Sequence, residues 1–211
     1  VTATTMPAGL NVVFSYDGQS DAPTNAGRYN VQAAVDDASW QGITTGTLAV
    51  AQAAQAALVF APASPQAYGT TNGLNASGGN GVGGFSFEVL SGPGILLDET
   101  NLVVLAGSGT IALRAAKAAD NDYFVTAATA EVACAAAAQT IDFAAIPDQI
   151  ATNVLTLSAT ASSGLTVDFA VASGPAEIED LSQMHFTGAG AVSIVASQNG
   201  DTQWAQAAVT N

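Results

Sequence analysis

The sequence predicts a tandem array of small all-β sandwich modules, set end to end. Three observations lead there: a strand signature that occurs three times, a composition of small apolar and uncharged polar residues, and turn residues at regular intervals. The signature reads GRYNVQAAVDDASW at 27–40, GTIALRAAKAADNDY at 109–123 and GAVSIVASQNGDTQW at 190–204. After each glycine, apolar residues alternate: Tyr29, Val31, Ala33; Ile111, Leu113, Ala115; Val192, Ile194, Ala196. Alternation is the period of a strand with one buried face. A polar turn follows, with an aspartate three residues before an aromatic: Asp37 and Trp40, Asp120 and Tyr123, Asp201 and Trp204.

The composition narrows both fold and partners. Only 9% of the 211 residues are charged and 7% aromatic, while 49% are hydrophobic; a typical soluble domain is about 25% charged. Small side chains therefore do the packing, which suits thin sheets rather than helical bundles. Three Lys+Arg against seventeen Asp+Glu give a formal charge of −14. That sign repels phosphate backbones and anionic membranes. Nucleic acid is excluded as a natural partner, and cations, neutral glycans or other proteins remain. No apolar run reaches membrane-spanning length, and the opening residues lack the pattern of a signal peptide. The lone Cys134 precludes an internal disulfide and a cysteine zinc cluster; it reads as a small buried hydrophobe, the other use being a thiol between chains.

Along the chain, residues 1–52 read as a first module without an opening strand. Gly9, Leu10, Val12 and Phe14 match Gly164, Leu165, Val167 and Phe169, and nothing precedes them that matches the strand Thr140–Ile146. Tyr16-Asp17-Gly18 reads as a turn, and Gly46–Val50 as the closing strand. Residues 57–134 form a complete second module, opening at Leu58 and Phe60, with strands at 74–77 and 85–89 and a closing strand at 125–132. Ser91-Gly92-Pro93 aligns with Ser173-Gly174-Pro175 at an offset of 82 (173−91), and the signature at 81 (190−109). Residues 139–211 form the third module, with strands at 155–159, 165–171, 184–186 and 191–197; counting 81 onward from Val132 passes Asn211, so the closing strand is expected to be missing. The alanine-rich linkers, 51–57 and 134–138, are too short to hold a helix in water and read as extended connectors.

The run Val1–Leu10, with Tyr16-Asp17-Gly18, Ala22-Pro23-Thr24, Asp37–Gly42 and Gly46-Thr47-Leu48, resembles the MBG group of bacterial immunoglobulin-like repeats. Gln139–Phe143, Leu157–Leu165 and Phe186–Gly190 resemble the related repeats found beside them. The resemblance implies immunoglobulin-like β-sandwich modules used in series in large secreted or surface proteins of bacteria, as spacer, stalk or adhesive surface. It brings no catalytic residues. The second module departs most, with a glycine-rich loop and Tyr123 in place of tryptophan.

Candidate sites are few. Gly79-Asn-Gly81-Val-Gly83-Gly84 fits GxGxxG, but no helix follows to complete a phosphate cradle, and a hairpin loop is the expectation. His185, between Met184 and Phe186 on a strand, has neither a triad nor a metal cluster in the sequence. The acidic pairs Asp36-Asp37, Asp98-Glu99 and Asp120 with Asp122 read as turn formers; calcium at Asp120 and Asp122 is the sharper alternative. Glu177, Glu179 and Asp180, read as one loop, would not face each other across a sugar cleft. Trp40, Tyr123 and Trp204 recur in every module, which favours a plug against the module or its neighbour over a sugar-stacking platform. Lys117 is in phase with Leu113 and Ala115 and so points inward; a cross-link from it is not supported by the other modules, which have Val35 or Gln198 nearby.

Incomplete first and last modules would expose sheet edges, which seek a partner. The plain reading is a fragment of a longer array, and the sharper one is strand complementation between neighbouring chains. The expectation is a non-enzymatic, extracellular or cell-surface rod or filament that partners chiefly with itself, with a glycan-binding adhesive module as the alternative.

Overall fold

The computed structural model describes residues 1–211, and every regular element is a β-strand. The stretch 1–52, read from the sequence as a first module, holds β1 (Val12–Tyr16), β2 (Gly27–Val35) and β3 (Ile43–Val50), and the names of the other two stretches are kept in the same sense. The second holds β4 (Leu58–Val59), β5 (Gln66–Ala67), β6 (Thr71–Gly73), β7 (Ser77–Gly78), β8 (Phe85–Ser91), β9 (Gly94–Leu97), β10 (Asn101–Val104), β11 (Thr110–Lys117) and β12 (Thr126–Ala135). The third holds β13 (Ile141–Asp142), β14 (Val154–Thr156), β15 (Thr160–Ala161), β16 (Asp168–Ser173), β17 (Ala176–Glu179), β18 (Gln183–Phe186), β19 (Ser193–Gln198) and β20 (Ala207–Thr210). The chain divides into two compact units. One comprises Val1–Phe60, Ala76–Phe87 and Arg114–Thr129; the other comprises Ala61–Asn75, Glu88–Leu113 and Ala130–Asn211. The boundary runs through the second module.

In the first unit, β1, β2 and β3 form an antiparallel sheet in that order. The β1 end turns on Asp17 and Gly18, both left-handed (φ 49° and 85°), with reciprocal backbone bonds between Tyr16 and Gln19 at 2.7 and 2.9 Å. A two-residue turn of that hand matches strand twist. The register sets Phe14 opposite Ala33 and Tyr29 opposite Leu48, and the apolar set faces one side, where Val31 and Ala33 are buried. Residues 17–26 link β1 directly to β2, where the other modules insert two more strands. The first module therefore has a single sheet. Its apolar face is lined by the irregular residues Val1–Met6, with cavities of about 240 and 560 Å³ left along it.

In the second unit, β10 lies between β6 and β9, and Leu102 and Val104 on β10 are fully buried with Ile111, Leu113 and Val132. The second module's other sheet has the order β5-β12-β11-β8, with β5 parallel to β12. The third module repeats the plan: β14-β18-β17 in one sheet, β16-β19-β20 in the other, and a β13-β15 pair. Met184, Leu157, Ile194 and Ala176 form its core, with Phe143 and Phe169 packed against them at a ring separation of 5.5 Å.

Several elements differ from the sequence reading; of the strand expected at 74–77 only Ser77 lies in one. The hairpins β9–β10 and β17–β18 turn on Asp98-Glu99 (φ 52° and 59°) and Asp180-Leu181 (φ 48° and 67°). Glu177 and Glu179 thus lie on a strand rather than a loop; no Asn-Gly or Asp-Gly marks these turns. Second, the third module does have the start of a closing strand. β20 pairs with β19 and begins 81 residues after β12 (207−126), whereas a count from Val132 measured from the strand's far end. Third, the opening strand of the third module shrinks to the two residues of β13.

Candidate functional site

The three Asp-aromatic turns are built alike. Asp37 Oδ1 accepts the N–H groups of Ser39 (2.8 Å) and Trp40 (3.2 Å). Asp120 Oδ1 accepts those of Asp122 and Tyr123, both at 2.9 Å, and Asp201 Oδ1 those of Gln203 (2.7 Å) and Trp204 (2.8 Å). A short carboxylate that binds N–H groups two and three residues on folds the backbone over itself. The last two turns also close with a bond from the Asp120 N–H to the Tyr123 carbonyl (3.1 Å) and from Asp201 to Trp204 (2.9 Å).

In two of the three, that fold grips the preceding linker. Within the first unit, the Ala53 N–H donates to the Asp122 carbonyl (2.8 Å), and the Phe124 N–H donates to the Ala53 carbonyl (3.0 Å). Within the second, Ala137 donates to Gln203 (2.8 Å) and receives from Ala205 (2.8 Å). Both contacts are parallel bridges. Two residues further on, a glutamine completes each. Gln55 Nε2 donates to the carbonyls of Phe124 (2.8 Å) and Ala118 (3.1 Å), and Gln139 Nε2 to the Ala205 carbonyl (2.6 Å) and Gln198 Oε1 (2.7 Å). A loop of the preceding module adds a third contact: Ala26 N–H to Asp122 Oδ1 at 2.6 Å, and Gly107 N–H to the Thr202 carbonyl at 3.1 Å. The candidate site is this clasp.

Residues 1–54 match the MBG domain family. The MBG match covers the first Asx turn and reaches the first linker through Ala53, in keeping with the resemblance read from Val1–Leu10 and Asp37–Gly42. No curated protein matches the chain. Among solved structures it is similar to mouse protocadherin-24 EC1-3, at 12% identity and a TM-score of 0.28, covering 87% of this chain and 78% of that one. It is also similar to Drosophila N-cadherin EC1-4, at 8% identity and a TM-score of 0.30, covering 96% of this chain and 66% of that one.

The glycine-rich loop 79–84 serves the clasp that follows the MBG module. The Val82 N–H donates to Asp120 Oδ2 (2.6 Å), the Gly81 N–H to Gln55 Oε1 (3.4 Å), and Asn80 Oδ1 accepts the Ala56 N–H (3.0 Å). A Cβ on Gly83 would lie 2.2 Å from the Ala118 carbonyl oxygen, so only glycine fits. The donors that would cradle a phosphate are thus directed at protein. Lys117 is buried, as its phase predicted; its Nζ donates to the Gly78 carbonyl (3.1 Å) and lies 5.3 Å from the centre of the Phe85 ring.

Both oxygens of Asp120 accept N–H donors, and Asp122 Oδ1 accepts one from Ala26. A cation at Asp120 and Asp122, the alternative to the turn reading, would have to share these oxygens with the N–H groups. No three acidic, histidine or cysteine side chains gather as a metal site. The Val82 N–H does most to hold the Asp120 carboxyl below its ordinary value of 3.8. Partial desolvation opposes that, while the N–H groups of Asp122 and Tyr123 and the charge of Lys117 support it. A depressed carboxyl stabilises the fold above the unfolded value and loses that contribution as pH falls through the folded value. Melting followed by circular dichroism between about pH 6 and pH 2 is therefore expected to show Asp120→Asn lowering Tm at the upper end, with the gap to the native chain closing below 3.8. A gap independent of pH would contradict the assignment.

The remaining candidates are scattered. Tyr123 and Trp204 lie in filled clasps, Trp204 edge-on to Tyr68 at 6.0 Å. Trp40 is 51% exposed and lines the 240 Å³ cavity with Thr4, Met6 and Ile43. His185 Nε2 lies 3.4 Å from Glu179 Oε2 on an exposed strand face, and Glu177 stands opposite His185 in the ladder. Burial pushes the Cys134 thiol up. Sequence reasoning missed Gln55, Gln139 and Gly107. The signal was available for the first two: an amide inside a run of alanines has no packing role there and marks a hydrogen bond made elsewhere.

Proposed function

We propose that this chain is a non-catalytic structural segment of an extracellular or surface protein, in which the clasp fixes each module to the next. The observation that supports it is the repetition: linker alanine and glutamine two residues on are used in the same way at both joints, and a loop of the preceding repeat adds an N–H donor to each, to Asp122 Oδ1 at one and to the Thr202 carbonyl at the other. Repeats coupled to their nearest neighbours build arrays whose stability grows with each interface. The MBG match, the acidic surface and the assignment of Asp37, Asp120 and Asp201 to turns agree with this reading. Assembly into filaments by strand complementation is the finer proposal, favoured by the single-sheet first module and by β20 at a sheet edge.

Electron microscopy of the purified chain at neutral pH, with and without calcium, tests the finer proposal. Regular fibres with a repeat near three modules support it; isolated particles under both conditions overturn it and leave the spacer reading. A second reading, glycan binding, is favoured by the exposed Trp40 ring, since aromatic faces stack on sugars. It expects tryptophan fluorescence to shift on adding neutral glycans and a Trp40→Ala variant to lose the shift; an unshifted spectrum across a glycan panel excludes it.

A further inference from the structure

We propose that the first turn, Asp37–Gln41, is a docking site for an extended Ala-x-Gln peptide, the chemistry of this protein's own linkers. The inference rests on the array reading above. Two of three equivalent turns hold such a segment through the same groups: the carbonyl two residues after the aspartate and the N–H four residues after it. In the first turn those groups are the Ser39 carbonyl and the Gln41 N–H, and neither carries a linker bond. The carboxylate of Asp37 folds the turn as in the other two, although the closing bond from the aspartate N–H to the aromatic carbonyl is made only in those, so the acceptor and donor are set out in part. Its outer side is also open. Trp204, with a linker in place, is half-buried against Tyr68, whereas Trp40 is 51% exposed. A peptide alanine between Ser39 and Gln41 repeats the bridge of Ala53 and Ala137, and a glutamine two residues on reaches the Gln41 carbonyl as Gln55 reaches that of Phe124.

The probe is a capped octapeptide with the sequence of residues 51–58, AQAAQAAL, added to the ¹⁵N-labelled full chain. The indole N–H signals of Trp40 and Trp204 are read separately. The Trp40 signal is expected to shift saturably, at about millimolar affinity as suits a few exposed hydrogen bonds. Trp204, whose turn is filled by the chain's own linker, stays put. A peptide carrying Gln55→Leu is expected to bind at least about five-fold more weakly, from loss of its amide bond. In the protein, Gln41→Pro removes the N–H donor and abolishes the shift. Should that variant misfold, the altered peptide still decides the matter. A Trp40 signal unmoved at about ten times the expected Kd, equal movement of both indoles, or equal binding of the Gln55→Leu peptide overturns the docking site. Limited proteolysis of a Gly107→Val variant, which opens the joint at Ala137 without touching the first turn, reports the array reading independently, so failure of either idea is visible by itself.

Discussion

Leu102→Ala is expected to cost about 3–4 kcal/mol and to lower the main melting transition by roughly 10–20 °C. Leu102 is fully buried on β10, between β6 and β9, and its Cδ1 shares with that of Ile111 the space over Gly94. Nearby glycines fit closely. A Cβ on Gly94 would meet the Ile111 Cδ1 at 2.8 Å and the Leu102 Cδ1 at 3.1 Å, so the backbone already approaches as near as the side chains allow. Collapse into the cavity is therefore restricted, and the loss should fall in the middle of the range for buried leucines rather than at its low end. Differential scanning calorimetry of the full chain measures it. A drop of only a few degrees would mean that this core is looser than its burial implies.

The second large effect belongs to the joint. In Gly107→Val, the new Cβ would lie 2.5 Å from the Thr202 carbonyl oxygen, 2.9 Å from the Ala136 Cα and 3.0 Å from the Gln203 Cα. All three are backbone atoms and none can rotate away. The linker must leave the turn, breaking the bonds of Ala137 and Gln139 together. The expected result is cleavage of the linker around Ala136–Gln139 at least about ten-fold faster in limited proteolysis, since open segments are cut in proportion to their open population. The module cores should melt nearly as before. Gly188→Val is the control. Gly188 is the counterpart of Gly107 81 residues on (188−107), yet its Cβ would meet only the Pro175 side chain, at 3.5 Å. That variant should be cut at the native rate.

Much of this was legible because each module repeats its own rules. Alternation after Gly27, Gly109 and Gly190 located β2, β11 and β19, and the inward phase of Lys117 followed from the same period. The hairpins escaped because GILLDETNLVV puts two leucines together and turns on Asp-Glu, so neither alternation nor turn chemistry announces them. The joints escaped for a different reason. Periodicity reports which face a residue presents to its own sheet, whereas Gln55 and Gln139 bond to a turn about 60–70 residues on and Gly107 to the turn of the following repeat, and strand alternation encodes neither. The aspartates were read correctly as turn formers, but what the turns hold became visible only with the linkers in place.

The clasps of this acidic chain are made mainly of hydrogen bonds, with the charge of Lys117 acting on Asp120 at the first of them. Their donors and acceptors are backbone amides, carbonyls and glutamine side chains, with carboxylates bonded to N–H groups rather than to cations. Mobile ions screen charge over about 8 Å at physiological ionic strength but leave short neutral hydrogen bonds largely alone. Repulsion between neighbouring acidic surfaces therefore fades in brine while the stitching persists. Such joints should hold at least as well in a saline medium as in dilute fresh water, where acidic surfaces repel one another over a longer range.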